Sequence, residues 1–163
     1  MLLGTLVDYL HNARVPFRLA SYPSEEDKPI AGQPLPPGGM LVDTRLLDVS
    51  GRPVIAVFPD GEDVDLAAIS TLLGGAATLA TMDQLPEDFR RAGEPVPPFG
   101  QLFGIPIVLD ARVASVGVLV FRAFGESLYF ELPYEDWARL EQPRVAPFAS
   151  VAELGAANAV ARQ

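Results

Sequence analysis

The sequence predicts one mixed α/β domain, in which a curved or barrel-like β-sheet is surrounded by helices. The chain of 163 residues is 49% apolar, which is enough for a single core and too apolar for a disordered chain. Strand-like runs outnumber amphipathic helical segments, and the two kinds intermix along the chain. The 14 glycines and 16 prolines follow no fixed period, which argues against a repeat protein.

The first part of the chain predicts a helix, a short strand and a long loop. Apolar residues recur at helical spacing over residues 2–14, and residues 15–20 have the character of a strand. Five prolines within residues 21–39 each remove a backbone donor, so we expect a surface loop there.

The opening helix lacks a basic segment and contains Asp8, so it does not have the pattern of a signal peptide. No apolar run reaches the roughly 20 residues of a membrane span. We therefore expect a cytoplasmic protein that does not contact membranes.

The middle of the chain predicts a hairpin followed by a helix. Residues 40–49 and 53–58 are rich in strand-forming side chains and flank a Ser-Gly-Arg turn. Residues 63–73 place apolar side chains at helical spacing behind an acidic start and end at a glycine pair. The acidic cluster at residues 60–65 lacks the ligand spacing of a calcium loop, so we expect it to cap this helix.

The remaining elements are read from the same patterns. Further strands are predicted at 77–80, 105–110, 116–123 and 127–132, and further helices at 81–91, 133–140 and 150–161. Two of these helices begin with capping boxes, Thr81 with Gln84 and Ser150 with Glu153.

We expect the chain to divide into a domain of residues 1–142 and a C-terminal helical tail of residues 143–163. The helix of this tail has a thin apolar edge. Two alternatives stay open: the edge docks on its own domain, or it pairs with a second copy in a homodimer.

Composition excludes several classes of chemistry. The net charge of −9 argues against capture of nucleic acid by bulk charge. The absence of cysteine rules out disulfides, thiol nucleophiles and thiolate metal sites. The single histidine, His11, falls in the first helix, and no G-x-S-x-G sequence is present to suggest a serine hydrolase. We expect neither a metal nor a cofactor.

Three stretches of the sequence together resemble a known family. They are LVDTRLLDVSGRPVIAVFPDGEDVDLAAI from residue 41, GEPVPPFGQLFGIPIVLDARV from residue 93 and FRAFGESLYFELPYEDWARL from residue 121. Their order and spacing resemble the YbaK/prolyl-tRNA synthetase associated domain family over nearly all of residues 1–142. The resemblance implies an aminoacyl-tRNA deacylase that acts on mischarged tRNA without a metal.

One departure from the family pattern concerns charge on the first hairpin strand. Where relatives carry a lysine in a run like V-x-K-T-L-L, this chain has Asp43, and its single lysine, Lys28, lies in the proline-rich loop. A carboxylate about 4 Å from a phosphate oxygen is disfavoured by about 4 kcal/mol at an effective dielectric constant of 20. Arg45 shares a strand face with Asp43. Either Arg45 supplies the missing positive charge, braced by Asp43, or the two side chains form a surface ion pair.

A second departure is a shorter loop, Gly93-Glu94-Pro95 followed directly by Val96-Pro97-Pro98-Phe99-Gly100. Hydrolysis of an ester needs donors aimed at the carbonyl oxygen, and backbone N–H groups can supply them. The prolines have no N–H, so the donors available are those of residues 96 and 99–101, with Gly100 best able to approach a ligand. The alternative is a rigid turn that leads into the next strand.

The resemblance implies a site in which the amides of Phe99 and Gly100 polarise the ester carbonyl. A water helped by a substrate hydroxyl attacks. The aminoacyl end is bordered by Asp43, Thr44, Arg45, Pro98 and Gly125.

Two functions remain open. The first is trans-acting aminoacyl-tRNA editing, a hydrolase activity in translation fidelity. The second is a catalytically degenerate domain that binds tRNA, a small molecule or a protein.

Overall fold

The computed structural model describes residues 2–21, 26, 28–29, 35–81, 83, 87, 90, 96–122 and 128–151. Within these residues the helices are α1 (Leu2–Asn12), α2 (Leu66–Leu73) and α3 (Tyr134–Glu141). The strands are β1 (Arg18–Ser21), β2 (Gly39–Val49), β3 (Arg52–Pro59), β4 (Glu62–Val64), β5 (Ala77–Leu79), β6 (Ile107–Asp110), β7 (Val118–Arg122), β8 (Leu128–Pro133), β9 (Arg144–Ala146) and β10 (Ala149–Val151).

Eight of the described strands form one mixed sheet in the order β1-β8-β7-β2-β3-β6-β9, and β5 also pairs with β2. The β2–β3 hairpin is antiparallel, whereas β2–β7, β3–β6 and β6–β9 are parallel. The strand β2 therefore has neighbours on both sides, and the parallel pairing places Val42 opposite Phe121. The predicted mixed α/β sheet with surrounding helices is confirmed.

Alternation along β2 separates two apolar clusters on the two faces of the sheet. Val42 and Leu46 belong to the larger cluster, which also buries Leu6 of α1 and Trp137 of α3. Leu47 and Val49 belong to the second cluster, which includes Ile69 of α2. Both faces of the central hairpin are thus covered, which explains the nearly continuous burial of β3.

The helix α2 begins later than the sequence predicts. Residues Glu62–Val64 form β4 instead of a first helical turn, and β4 pairs with β10. The side chain of Asp65 accepts hydrogen bonds from the backbone N–H groups of Ala67 and Ala68, so Asp65 is the N-cap. The helix ends at Gly74 with φ of 71°, in the left-handed region that glycine adopts without strain.

The segment after α3 is also different from the prediction. Residues 144–151 add strands β9 and β10 to the domain, and Ser150 lies in β10 opposite Asp63. Ser150 therefore does not cap a helix. The cause is tertiary, because the buried carboxylate of Asp110 accepts hydrogen bonds from the N–H groups of Phe148 and Ala149 and holds this segment extended.

Some predictions fall on residues that the structure does not describe. They include most of the helix at 81–91 with the capping residue Gln84, the tail beyond residue 151, and Gly125. Among the helices that are described, none has the length and apolar character needed to cross a membrane.

Candidate functional site

A narrow cleft lies between β2, the chain at Val96 and the end of β7. It is lined by Val42, Asp43, Thr44, Val96, Phe121 and Arg122. No part of the cleft is wide enough to hold a water molecule. A ligand therefore enters only if the walls of the cleft move apart.

The first hairpin and the proline-rich loop are in direct contact at this cleft. The hydroxyl of Thr44 donates a hydrogen bond to the carbonyl oxygen of Val96, which lies 52 positions along the chain. The bond forms because even-numbered residues of β2 face the larger apolar cluster, where Val96 is also buried. The two stretches that the sequence places at one site are therefore neighbours.

The guanidinium that lines the cleft is that of Arg122. It donates a hydrogen bond of 3.1 Å from Nη2 to Oδ1 of Asp60. Burial raises the pKa of Asp60, Arg122 lowers it, and the nearby charge of Asp43 raises it further, so the pKa lies above its ordinary value. Two carboxylates and one guanidinium thus meet at the edge of the cleft.

Sequence reasoning missed Arg122. It stands at the end of a predicted strand, but its distance along the chain from residue 43 gives no signal of contact. The parallel pairing of β7 with β2 brings it to the cleft.

Arg45 pairs with Asp63 and not with Asp43, so the expected ion pair between residues 43 and 45 is wrong, whereas the expectation that Arg45 supplies the positive charge stays a prediction. Nη2 of Arg45 lies 3.3 Å from Oδ1 of Asp63 in β4. Oδ1 of Asp43 accepts a hydrogen bond of 2.8 Å from the backbone N–H of Thr44. Nε of Arg45 is buried and has no hydrogen-bond partner.

The loop amides proposed as donors are already bonded within the protein. The N–H of Phe99 donates to the carbonyl oxygen of Pro97 at 2.8 Å. The amide of Gln101 donates to Oε1 of Glu141 at 3.0 Å. The expectation that the amide of Phe99 is free to meet an ester carbonyl is therefore not met in this arrangement, and the role of the Gly100 amide stays a prediction.

Close packing within the protein, and not contact with a ligand, accounts for a glycine at position 100. A Cβ atom built on Gly100 would lie 1.8 Å from the carbonyl oxygen of Ile105. Pro98 is buried, and its carbonyl oxygen accepts a hydrogen bond from Nε1 of Trp137. The loop is thus packed tightly against the strand that follows it and against α3.

The acidic cluster at residues 60–65 was expected to cap α2, and only one of its four carboxylates does so. Asp65 caps α2, as expected. The other three carboxylates instead pair with arginines from distant parts of the chain: Asp60 with Arg122, Glu62 with Arg112, and Asp63 with Arg45. Among the described residues, no group of three His, Cys, Asp or Glu side chains is placed to hold a metal ion.

Several solved structures share this fold. A proposed signal transduction protein from Marinobacter aquaeolei VT8 superimposes with a TM-score of 0.69 and 19% identity over 89% of this chain, which spans 30% of that longer protein. A proposed trans-editing enzyme for prolyl-tRNA synthetase has a TM-score of 0.65 and 17% identity over 89% of this chain and 94% of its own. A hypothetical protein has a TM-score of 0.66 and 16% identity, over 89% of this chain and 99% of its own. No curated protein matches the chain.

The sequence profile of one family covers the segments that meet at the cleft. The profile of the aminoacyl-tRNA editing domain matches residues 36–140, which include β2, the chain at Val96, and β7. This match and the shared fold confirm the YbaK-like resemblance seen in the sequence. The chain belongs to the aminoacyl-tRNA editing domain family.

Proposed function

We propose that this protein is a trans-acting aminoacyl-tRNA deacylase, a cytoplasmic hydrolase that cleaves the ester between a wrong amino acid and the terminal ribose of tRNA. One observation carries the proposal. The segments matched by the editing-domain profile are the ones whose contact, through Thr44 and Val96, forms the cleft. The similar fold of a proposed trans-editing enzyme for prolyl-tRNA synthetase supports the same conclusion.

In the proposed reaction, a water oxygen attacks the ester carbonyl and the bond from that carbon to the ribose oxygen breaks. The proton lost by the water passes, through a substrate hydroxyl, to the ribose oxygen. Negative charge develops on the carbonyl oxygen, and a preorganised donor stabilises it. We assign this role to the guanidinium of Arg122, which lines the cleft, since the amide of Phe99 first has to exchange its present acceptor for the substrate.

Substrate entry requires the cleft to widen. The bond between Thr44 and Val96 joins its two walls, so we propose that widening breaks this bond and that Thr44 then borders the aminoacyl group. Pro98 and Gly125 remain proposed neighbours of the same group.

Arg45 is the proposed contact for a phosphate of the tRNA end. A buried donor without an acceptor costs about 1–3 kcal/mol, and the buried Nε of Arg45 has no partner in the structure. A phosphate oxygen would meet the partly exposed outer nitrogens of the guanidinium, and it would satisfy Nε only if the side chain turned outward. Its pairing with Asp63 is exposed to solvent on both sides and therefore contributes little.

A second candidate is a domain that binds tRNA, a small molecule or a protein without turnover. Two observations favour it: a carboxylate, Asp43, stands where the family pattern has a lysine, and the cleft does not admit water.

The test is a deacylation panel of alanyl-, cysteinyl- and prolyl-tRNA with the purified protein, together with binding measured by filter retention at low salt. We expect hydrolysis of one member and a loss of about tenfold or more in rate for Arg122→Ala, since tenfold corresponds to about 1.4 kcal/mol of transition-state stabilisation. Binding without hydrolysis of any member would select the second candidate.

The role of position 43 is tested by Asp43→Lys beside a control of the same charge change. Glu135→Lys, on the exposed side of α3, adds the same two charges away from the cleft. We expect Asp43→Lys to change the deacylation rate by about tenfold or more, because charges about 4 Å apart interact by about 4 kcal/mol at an effective dielectric constant of 20. Equal rates for the two variants would show that residue 43 does not meet the substrate.

A further inference from the structure

The loop of residues 96–103, which carries one wall of the cleft, is held by a buried carboxylate. Glu141 is the last residue of α3 and is 2% exposed. Its Oε1 accepts the N–H of Gln101 at 3.0 Å, and its Oε2 accepts the hydroxyl of Tyr9 in α1 at 2.9 Å. One carboxylate therefore ties the loop to two helices.

A second bond from α3 reaches the same loop. The indole Nε1 of Trp137, a fully buried side chain, donates to the carbonyl oxygen of Pro98 at 2.8 Å. Trp137 and Glu141 are four residues apart and so lie on the same side of the helix. The carbonyl of Pro98 and the amide of Gln101 are thus held from one helical face.

The environment of Glu141 combines burial with several hydrogen-bond donors. Burial raises the pKa of this carboxyl above its ordinary value, and the amides of Gln101 and Gly100 and the hydroxyl of Tyr9 offset this only in part. The hydrogen-bond partners described for it are neutral donors. A buried carboxylate held by neutral donors alone is costly in free energy unless each donor is well aligned. Such a group is suited to fixing the position of a backbone segment.

The position of the 96–103 loop affects the walls of the cleft through two contacts. The ring of Phe99 packs edge-on against Phe121, a lining residue of the cleft, with ring centroids 5.3 Å apart. Three residues before Phe99, Val96 accepts the hydrogen bond from Thr44. A shift of Gln101 away from Glu141 therefore displaces both Phe99 and the wall at Val96.

We propose that Glu141, supported by Tyr9, is a positioning residue that sets the width of the cleft by clamping the 96–103 loop. The inference rests on the proposed function and deepens it. Both residues of the clamp lie outside the segment matched by the editing-domain profile, residues 36–140. The clamp is thus a feature of this chain beyond the matched segment.

The clamp is tested first by amide hydrogen exchange, which needs no turnover. In Glu141→Ala the amide of Gln101 loses its acceptor, and we expect its exchange to accelerate by about 100-fold, whereas the β6 amide of Leu109 stays protected. Glu141→Gln keeps an oxygen that accepts from Gln101, so we expect most of the protection to return. Arg139→Ala, which removes an exposed ion pair on the same helix, is the control. Equal exchange at Gln101 in all variants would overturn the proposal.

Kinetics then separate a positioning role from a merely structural one. We expect Glu141→Ala to lower kcat for deacylation by about tenfold or more, with rescue to within about threefold by Glu141→Gln. If both variants lose kcat equally while Gln101 stays protected in Glu141→Gln, the proposal fails. Tyr9→Phe removes only the bond to α1 and is used if Glu141→Ala does not fold; unchanged exchange at Gln101 in Tyr9→Phe counts against the clamp. If the parent protein hydrolyses no substrate, the proposed function fails, whereas the exchange result still decides the clamp.

Discussion

The strongest structural prediction concerns the buried carboxylate of Asp110, which is 1% exposed and anchors the segment after α3. Oδ1 accepts the backbone N–H and the Nε of Arg112, at 3.0 and 3.1 Å, and Oδ2 accepts the N–H groups of Phe148 and Ala149, at 3.1 and 2.9 Å. In Asp110→Asn the amide oxygen can serve one of these two pairs of donors, and the amide nitrogen faces the other pair. Two buried or part-buried donors therefore lose their acceptor.

The magnitude follows from these bonds. An unsatisfied buried donor costs about 1–3 kcal/mol, so we expect Asp110→Asn to lower the free energy of unfolding by about 4 kcal/mol. For a chain of this size, each kcal/mol shifts Tm by about 2–4 °C, which gives a fall of about 10 °C. Differential scanning calorimetry measures it. Asp136→Asn, which removes one partner of a surface pair with Arg139, is the control and should leave Tm unchanged within about 2 °C.

The pH dependence of the free energy of unfolding tests the same role of Asp110. Burial raises the pKa of Asp110, but the hydrogen bonds from Phe148, Arg112 and Ala149 together outweigh it and hold the pKa below its ordinary value. The stability from this group is present above the unfolded pKa of about 4 and is lost as pH falls through the folded pKa. Asp110→Asn should therefore lose less stability than the parent between about pH 5 and pH 2. A Tm within 2 °C of the parent at pH 7, or an identical acid dependence, would refute the reasoning.

Three further substitutions test other parts of the fold. Thr44→Val removes the donor to the carbonyl of Val96 while keeping the shape, so we expect a loss of about 1–2 kcal/mol in urea unfolding and a faster exchange of loop amides; an unchanged midpoint would contradict the bond. Gly100→Ala places a Cβ 1.8 Å from the carbonyl oxygen of Ile105, so we expect a loss of about 3 kcal/mol or a failure to fold, and a stability equal to the parent would show that the loop is not packed there. Asp65→Ala removes the N-cap of α2 and should cost about 1 kcal/mol, seen as a lower Tm; Asp65→Asn, which keeps an accepting oxygen, should restore most of it.

Much of the fold was predictable because its signals are local. The hairpin β2–β3 was read from two strand-like runs around a glycine turn, and α3 from a proline followed by helical spacing. The start of α2 was wrong because residues 62–64 pair with β10, a contact between segments far apart in the chain. Ser150 was misassigned for the same reason.

The candidate site was predictable only at the level of segments. The contact between Thr44 and the loop follows from the family pattern and the alternation of β2. The ion pairs of the site could not be predicted, because they join residues far apart in the chain: 18 positions for Arg45 with Asp63 and 62 positions for Arg122 with Asp60. The engagement of the loop amides by Glu141 had no local signal either, since the carboxylate lies 40 positions from Gln101.

The amino-acid order alone therefore specifies most of the elements, the mixed sheet and the family, since the spacing of apolar side chains, turns and caps depends on residues within a few positions of one another. The folded chain decides which arginine faces the cleft, which amides are already bonded and how wide the cleft is. These properties depend on distances between side chains brought together by strand pairing and helix packing, and a change of a few ångströms decides whether a donor meets a ligand or a carboxylate of the protein itself.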